Sequence, residues 1–325
     1  MKFSTIGTSW ITESFIKAAK HSGKASLSSI YSRSEETAKE FADKNQADNW
    51  YTDLDLMLEE DTEFIYIASP NSMHVEHILK CIENKKHVFC EKPMAITEEQ
   101  LNVVTIQAKK QGVFIFEGYR HLFTPNYQTL KDALPQVGQV RSVLLQYIQY
   151  SSRYDMYKQG NVPNILSKEF AGGALMDLGV YPLSMAVDLF GEPKEVDYFP
   201  VLLSNGIDGS GTLIVTYEDF NVTIMCSKIA QGTISSEIHG EKGTLTMDHL
   251  APIQSLELYD LKSKETQELA KPQSDLDMVY EVEAFVKMIE ENDNAYHDWL
   301  LERSRHVVSG LEKARKKQGI LFPGE

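Results

Sequence analysis

Lys2-Phe3-Ser4-Thr5-Ile6-Gly7-Thr8-Ser9-Trp10-Ile11-Thr12 stands at the head of the sequence. An apolar run meets a glycine, and an amphipathic stretch over 11–21 follows it, so the segment reads as strand, tight turn and helix. The glycine fingerprint that brings a pyrophosphate to a helix N-terminus runs G-x-G-x-x-G or G-x-G-x-x-A. Here Gly7 fills its first position, Ser9 stands at the second and Thr12 at the third. Serine is small, so the backbone from Gly7 and Thr8 through Ser9, Trp10 and Ile11 can still approach a phosphate. The same residues also suit an ordinary strand-to-helix turn.

The pattern around this turn favours the first reading. Apolar runs at 26–31, 64–68, 87–90 and 113–116 alternate with amphipathic stretches at 35–44, 73–83 and 100–110. Strands that alternate with helices predict a parallel, doubly wound sheet, a Rossmann domain over residues 1–120. The pattern changes after about Pro125. Strand-like segments then come in series at 140–150, 195–203, 211–217, 220–227, 233–239, 243–247 and 255–259, with turn signals such as Asn205-Gly206 between them. A helix is expected over 172–190, an exposed loop over 262–274, and two closing helices near 278–290 and 300–317. Residues 121–325 therefore read as an α+β substrate-binding and oligomerisation domain with a large, mostly antiparallel open sheet.

Composition bounds the function. Of the 325 residues, 42% are hydrophobic, enough for a large core. The net charge of −15 disfavours nucleic-acid phosphates and anionic membranes as partners. No apolar run approaches the roughly 20 residues that cross a bilayer, and the N-terminal segment does not read as a signal peptide. Cys81, Cys90 and Cys226 show no paired spacing, which fits a reducing cytoplasm.

Further segments carry chemistry. An NAD site usually ends its second strand with an acid that holds the ribose hydroxyls. This chain has Ser32-Arg33 there, and Arg33 suits a 2′-phosphate or, equally, a solvated surface. Glu91-Lys92-Pro93 follows the strand at 87–90, at the sheet end where ligands bind, and its lysine can polarise an oxygen. A strand-end turn with a solvated lysine is the bland alternative. Gly172-Gly173-Ala174-Leu175-Met176-Asp177-Leu178-Gly179-Val180-Tyr181 puts Asp177 and Tyr181 on one α-helical face. A carboxylate and a phenol there can orient an alcohol and move its proton. Equally, Asp177 could pair with a base and Tyr181 could pack in the core. His74, His77 and Cys81 fall at helical spacing, but three ligands on one short helix rarely close a tetrahedron, and no metal is expected.

With these landmarks in order, the whole chain resembles the Gfo/Idh/MocA oxidoreductases. Ser69-Pro70-Asn71-Ser72-Met73-His74 is similar to the family's strand-end turn beside the cofactor, which implies contacts from Ser69, Pro70, Asn71 and His74. Glu91-Lys92-Pro93 is similar to its signature tripeptide, whose lysine is catalytic, and the likeness implies that Glu91 and Lys92 also contact the cofactor. Many members have a histidine where this chain has Tyr181; the tyrosine resembles the branch of dihydrodiol dehydrogenase and glucose–fructose oxidoreductase. Leu122 replaces an arginine often found in the segment between the domains. The resemblance implies an enzyme that moves a hydride between NAD(P) and a secondary alcohol or ketone of a sugar, polyol or cyclic diol, and a homodimer or higher homo-oligomer; Ser32 and Arg33 point to NADP as preferred over NAD, and the cysteines to a cytoplasmic setting. Lys92 and Tyr181 would flank the reacting oxygen, Tyr181 as acid/base with the Lys92 ammonium stabilising its phenolate, and Asp177 would orient the substrate. The alternative is a non-catalytic NAD(P)-binding sensor, which would need neither Lys92 nor Tyr181.

Overall fold

The computed structural model describes residues 1–323 and 325. The chain divides into two compact units, Met1–Tyr119 with Ser274–Glu302, and Arg120–Gln273 with Arg303–Glu325.

The first unit runs β1 (Lys2–Ile6), α1 (Trp10–Ser22), β2 (Ser26–Tyr31), α2 (Glu35–Asn45), β3 (Asn49–Tyr51), α3 (Leu54–Leu58), β4 (Phe64–Ile67), α4 (His74–Glu83), β5 (His87–Glu91), α5 (Glu98–Gln111) and β6 (Ile115–Gly118). Its six strands form one sheet in the order β3-β2-β1-β4-β5-β6, and the paired strands are parallel. This is the expected doubly wound Rossmann sheet. β3 spans only Asn49–Tyr51, too short to show a periodicity in sequence. Helix ends follow local chemistry: Ser34 accepts from the Thr37 N–H, Thr97 accepts from the Gln100 N–H, and Gly23 and Gly112 close α1 and α5 in the left-handed region.

The second unit runs α6 (Pro125–Ala133), β7 (Val140–Ile148), α7 (Ser152–Lys158), α8 (Val180–Phe190), β8 (Glu195–Leu202), β9 (Asp208–Thr216), β10 (Asn221–Ser227), β11 (Ser236–Gly240), β12 (Gly243–Met247), β13 (Leu256–Asp260) and β14 (Thr266–Glu268). The eight strands order as β14-β13-β12-β11-β7-β10-β9-β8, antiparallel except for the β7–β10 pair. The loop expected over 262–274 thus contains a short edge strand, β14. Alternation is clear in β9, where Leu213 and Val215 are buried and Ile214 and Thr216 are half-exposed.

The structure departs from a single boundary at residue 120. α9 (Val279–Glu290) and the start of α10 (Asn294–Lys317) pack with the first unit. Phe285 holds α9 there, with its ring 5.1 Å from Phe64, 5.3 Å from Phe89 and 5.4 Å from Phe116, and His297 at the start of α10 accepts from the Ile115 N–H at 3.1 Å. Helix α10 starts earlier than expected because Asp293 accepts from the Tyr296 N–H and caps it. Its second half returns to the second unit, where Arg303 meets the buried Asp188 at 3.0 Å beside Tyr127 and Lys131.

The helix expected over 172–190 is also revised. Leu175–Gly179 forms a π turn, and the α-helix proper starts at Val180. Gly173 has φ +108°, and a Cβ there would overlap the Asp208 carboxylate. That carboxylate accepts from the Leu175 N–H and the Tyr198 hydroxyl, each at 2.7 Å. The segment is thus opened by a buried acid seated against a glycine, and the wider turn removes the α-helical spacing from which a shared face for Asp177 and Tyr181 was expected.

The three tryptophans, Trp10, Trp50 and Trp299, all belong to the first unit, so their fluorescence follows its unfolding. Phe285→Ala should lower that unit's stability by about 3–5 kcal/mol, the usual loss for an aromatic removed from a core. Urea titration followed by tryptophan fluorescence measures it, and an unchanged midpoint would remove α9 from this core.

Candidate active site

The order of the first sheet reverses between β1 and β4, and open α/β sheets place ligands at the carboxyl ends of such strands. Gly7 leaves β1 with φ +117°, and a Cβ there would stand 2.7 Å from the Ala68 carbonyl oxygen beyond β4. Only glycine fits. Ser9 is the N-cap of α1 in extended conformation, yet its side chain makes no capping bond. The first-turn N–H groups of a helix lack intrahelical partners, and with the positive end of the helix dipole they suit an anion. Thr8 and Ile11 are half-buried beside this turn, and Trp10 is 69% exposed. Thr12, where the fingerprint has its third small residue, is fully buried. Backbone and space at this turn fit a dinucleotide phosphate.

Beyond β2, the Ser32 N–H donates to the Tyr51 carbonyl at 3.1 Å, and its hydroxyl accepts from the Ser34 N–H at 3.4 Å. Arg33 is exposed and makes no hydrogen bond or ion pair with another described residue. Its charge reaches His77, whose pKa is pushed down to about 4, chiefly by burial and further by His74, Lys80 and Arg33. The neutral His77 ring has Nδ1 2.9 Å from the Ser69 hydroxyl. Arg33 therefore lies on the side of the sheet where Ser69 follows β4, with Pro70 and Asn71 next in the chain and Asn71 starting a short 3-10 turn.

The Glu91-Lys92-Pro93 turn is fixed from three directions. One Glu91 oxygen accepts the buried Tyr66 phenol at 2.7 Å, and burial with this carboxylate pushes that phenol far up. His74 places Nδ1 2.9 Å from the Pro93 carbonyl and Nε2 2.8 Å from the Ser69 carbonyl. The Met94 N–H donates to Glu117 Oε1 at 2.7 Å. Both flanks of Lys92 are thereby held by buried bonds, and its ammonium is close enough to lower the His74 pKa, after burial. His74, expected at the cofactor, is wholly buried, and both its ring nitrogens face backbone carbonyls. Glu91, also expected at the cofactor, spends one oxygen on Tyr66. Among the described residues no group of three or more His, Cys, Asp or Glu side chains is arranged to hold a metal ion.

In the second unit, Asp177 forms an ion pair with Lys228, whose side chain is only 5% exposed. Tyr181 is 7% exposed, with its ring 5.2 Å from Tyr147, 5.0 Å from His121 and 5.9 Å from the Arg120 guanidinium. That last distance is within cation–π range. His121 is fully buried; its pKa is pushed down to about 3, first by burial, so the ring is neutral and its Nε2–H donates to the Tyr181 carbonyl at 3.0 Å. The Ser184 hydroxyl donates to the same oxygen at 2.9 Å. The backbone of Tyr181 is thus anchored beneath its ring. Sequence reading missed His121, Glu117, Asp208 and Lys228. For Lys228 a signal existed: Val222, Ile224, Cys226 and Lys228 alternate along one buried face, and a lysine that ends such a file needs a partner.

Comparison with known proteins supports this picture. Residues 1–119 match the family model described as an oxidoreductase family with NAD-binding Rossmann fold, and residues 127–246 match the GFO/IDH/MocA C-terminal domain. The chain is 38% identical to scyllo-inositol 2-dehydrogenase (NADP(+)) IolU from Bacillus subtilis over 100% of its own length and 99% of the relative's. It is 37% identical to an uncharacterized oxidoreductase, YgjR, from Escherichia coli over 100% and 98% of the two chains. Among solved structures, a 3-ketoreductase from Actinomadura kijaniata in complex with NADP and TDP-benzene shares the fold, with TM-score 0.84, 20% identity and 97% of each chain covered. Full-length identity to these relatives, with both family domains matched in order, shows that the chain belongs to the Gfo/Idh/MocA family of oxidoreductases.

Proposed function

We propose that this oxidoreductase interconverts a secondary alcohol and a ketone on a cyclic polyol, within the broader class of sugars, polyols and diols, with NADP as its preferred cofactor. The observation that carries the reading is the Lys92 turn, immobilised on both flanks at the end of β5, in a chain so similar over its whole length to a scyllo-inositol dehydrogenase. A solvated lysine would need no such support. The nicotinamide, when bound, accepts or donates the hydride. Gly7, Thr8, Ser9, Trp10 and Ile11 hold the pyrophosphate through backbone N–H groups, and Ser69, Pro70 and Asn71 flank the cofactor beyond β4. Ser32 and Arg33 take the 2′-phosphate, a reading supported by the absence of an acid at this turn and by the unengaged guanidinium of Arg33. Lys92 polarises the carbinol oxygen, Tyr181 moves its proton, and Asp177 orients neighbouring hydroxyls.

We further infer a homodimer that works in the cytoplasm. One face of the second sheet packs under α8, whereas the other carries Leu144, Ile148, Ile214 and Met225 with Phe199 62% and Val201 55% exposed. An apolar sheet face of this kind suits a second copy. The free, buried thiols of Cys81, Cys90 and Cys226 support a reducing compartment.

These readings have direct tests. Light scattering at micromolar concentration should give twice the monomer mass, and Phe199→Glu should shift it toward monomer; a wild-type monomer would contradict the dimer. Arg33→Ala should weaken NADP binding by about 1–3 kcal/mol and leave NAD nearly unaffected, as measured by calorimetry. Equal losses for the two cofactors would take the 2′-phosphate away from Arg33. Tyr181→Phe keeps the ring and removes the hydroxyl, so kcat with scyllo-inositol should fall by roughly 10²–10⁴-fold at unchanged cofactor affinity. Near-native kcat across the neutral pH range would instead leave Tyr181 a packing residue.

A further inference from the structure

Lys228 lies at the end of the buried file Val222, Ile224 and Cys226, directly after β10. Its side chain is 5% exposed, and the carboxylate it meets, Asp177, is 29% exposed. A lysine ammonium carries three N–H donors. One goes to Asp177, and the ammonium has no other hydrogen-bond partner among the described residues. A buried charge with donors left over is costly unless something else accepts from them. Of the two side chains, Asp177 carries the exposure. Within this unit the pair also neighbours Tyr181. Tyr147, whose ring faces Tyr181, pairs in register with Cys226, and Lys228 is one pleat further on the same face. Gly179 keeps the π turn close to this strand, since a Cβ there would stand 3.1 Å from the Cys226 sulfur.

We propose that Lys228 and Asp177 together form a substrate subsite for a neutral vicinal diol, the ammonium donating to one hydroxyl oxygen while the carboxylate accepts from that hydroxyl or the next. The inference rests on the polyol oxidoreductase reading and deepens it. The pair is neutral as a unit, so it offers no excess positive charge to a phosphate or a carboxylate, and the anionic partner in it repels both. Its role is to fix the rotation of a ring and so to select which hydroxyl meets Tyr181. Lys228 is a binding residue that sets regiochemistry, and it moves no proton in the reaction.

The test compares wild type, Lys228→Met and Lys228→Arg, each saturated with NADP. The probes are scyllo-inositol, a monodeoxy analogue lacking the hydroxyl next to the reacting carbon, and an inositol monophosphate. Steady-state kinetics and calorimetric binding are read together. Lys228→Met should raise KM and Kd for scyllo-inositol by about ten- to hundredfold, the loss of a hydrogen bond from a charged donor. Its kcat should change far less, and NADP affinity should stay close to wild type. The deoxy analogue should be nearly insensitive to the substitution, and Lys228→Arg should recover part of the affinity. The monophosphate should bind wild type more weakly than the parent polyol. Active wild type with an unchanged KM in Lys228→Met, or equal losses for polyol and deoxy analogue, would overturn the subsite while leaving the polyol reading intact. Should Lys228→Met melt early, the deoxy comparison in Lys228→Arg decides on the same criterion. Wild type that neither binds nor oxidises a polyol would overturn both.

Discussion

The imidazole of His74 is the contact on which the first unit's chemistry depends. It reaches the Ser69 carbonyl through one nitrogen and the Pro93 carbonyl through the other, so one buried ring ties the turn after β4 to the turn after β5. Burial and the Lys92 ammonium push its pKa down, while the two carbonyls oppose that shift. Glu117 and Tyr66 complete the frame around Lys92. Removing one partner of a buried hydrogen bond typically costs about 1–3 kcal/mol, because the other is left unpaired. Lys92 therefore starts from a defined backbone.

The second unit achieves the same end by different means. Asp208 occupies the space that a side chain at Gly173 would need, and so fixes how the π turn begins. Burial pushes its carboxyl up to about 6 in spite of the Leu175 and Tyr198 donors. His121, neutral through burial, holds the Tyr181 carbonyl, and Lys228 holds Asp177. In both units, buried polar groups with few alternatives position the residues that carry the proposed chemistry. Such networks fix geometry at the price of stability if a member is lost.

Much of this was legible in the sequence, for identifiable reasons. Parallel strands buried on both faces read as continuous apolar runs, so β1, β2, β4 and β5 stood out, and the antiparallel strands showed their alternation. Gly7, Lys92 and Tyr181 were legible because turn and helix chemistry are local. What escaped depends on contacts distant in sequence. Phe285 looks like any helical core residue until Phe64, Phe89 and Phe116 surround it. The π turn exists because Asp208 reaches Gly173, which no spacing rule encodes. His74 carried a family resemblance that suggested a ligand contact, but its two backbone partners are visible only in three dimensions. β3 and β14 are too short for any periodicity to register.

The proposed function rests on direct hydride transfer between a polyol carbon and the cofactor. It is tested most directly by incubating the protein with NADP and scyllo-inositol deuterated at its ring carbons, then examining the reduced cofactor by NMR. One deuterium is expected at nicotinamide C4, on a single face, with none drawn from solvent. Reduced cofactor without deuterium, or no reduced cofactor under saturating substrate, would contradict it.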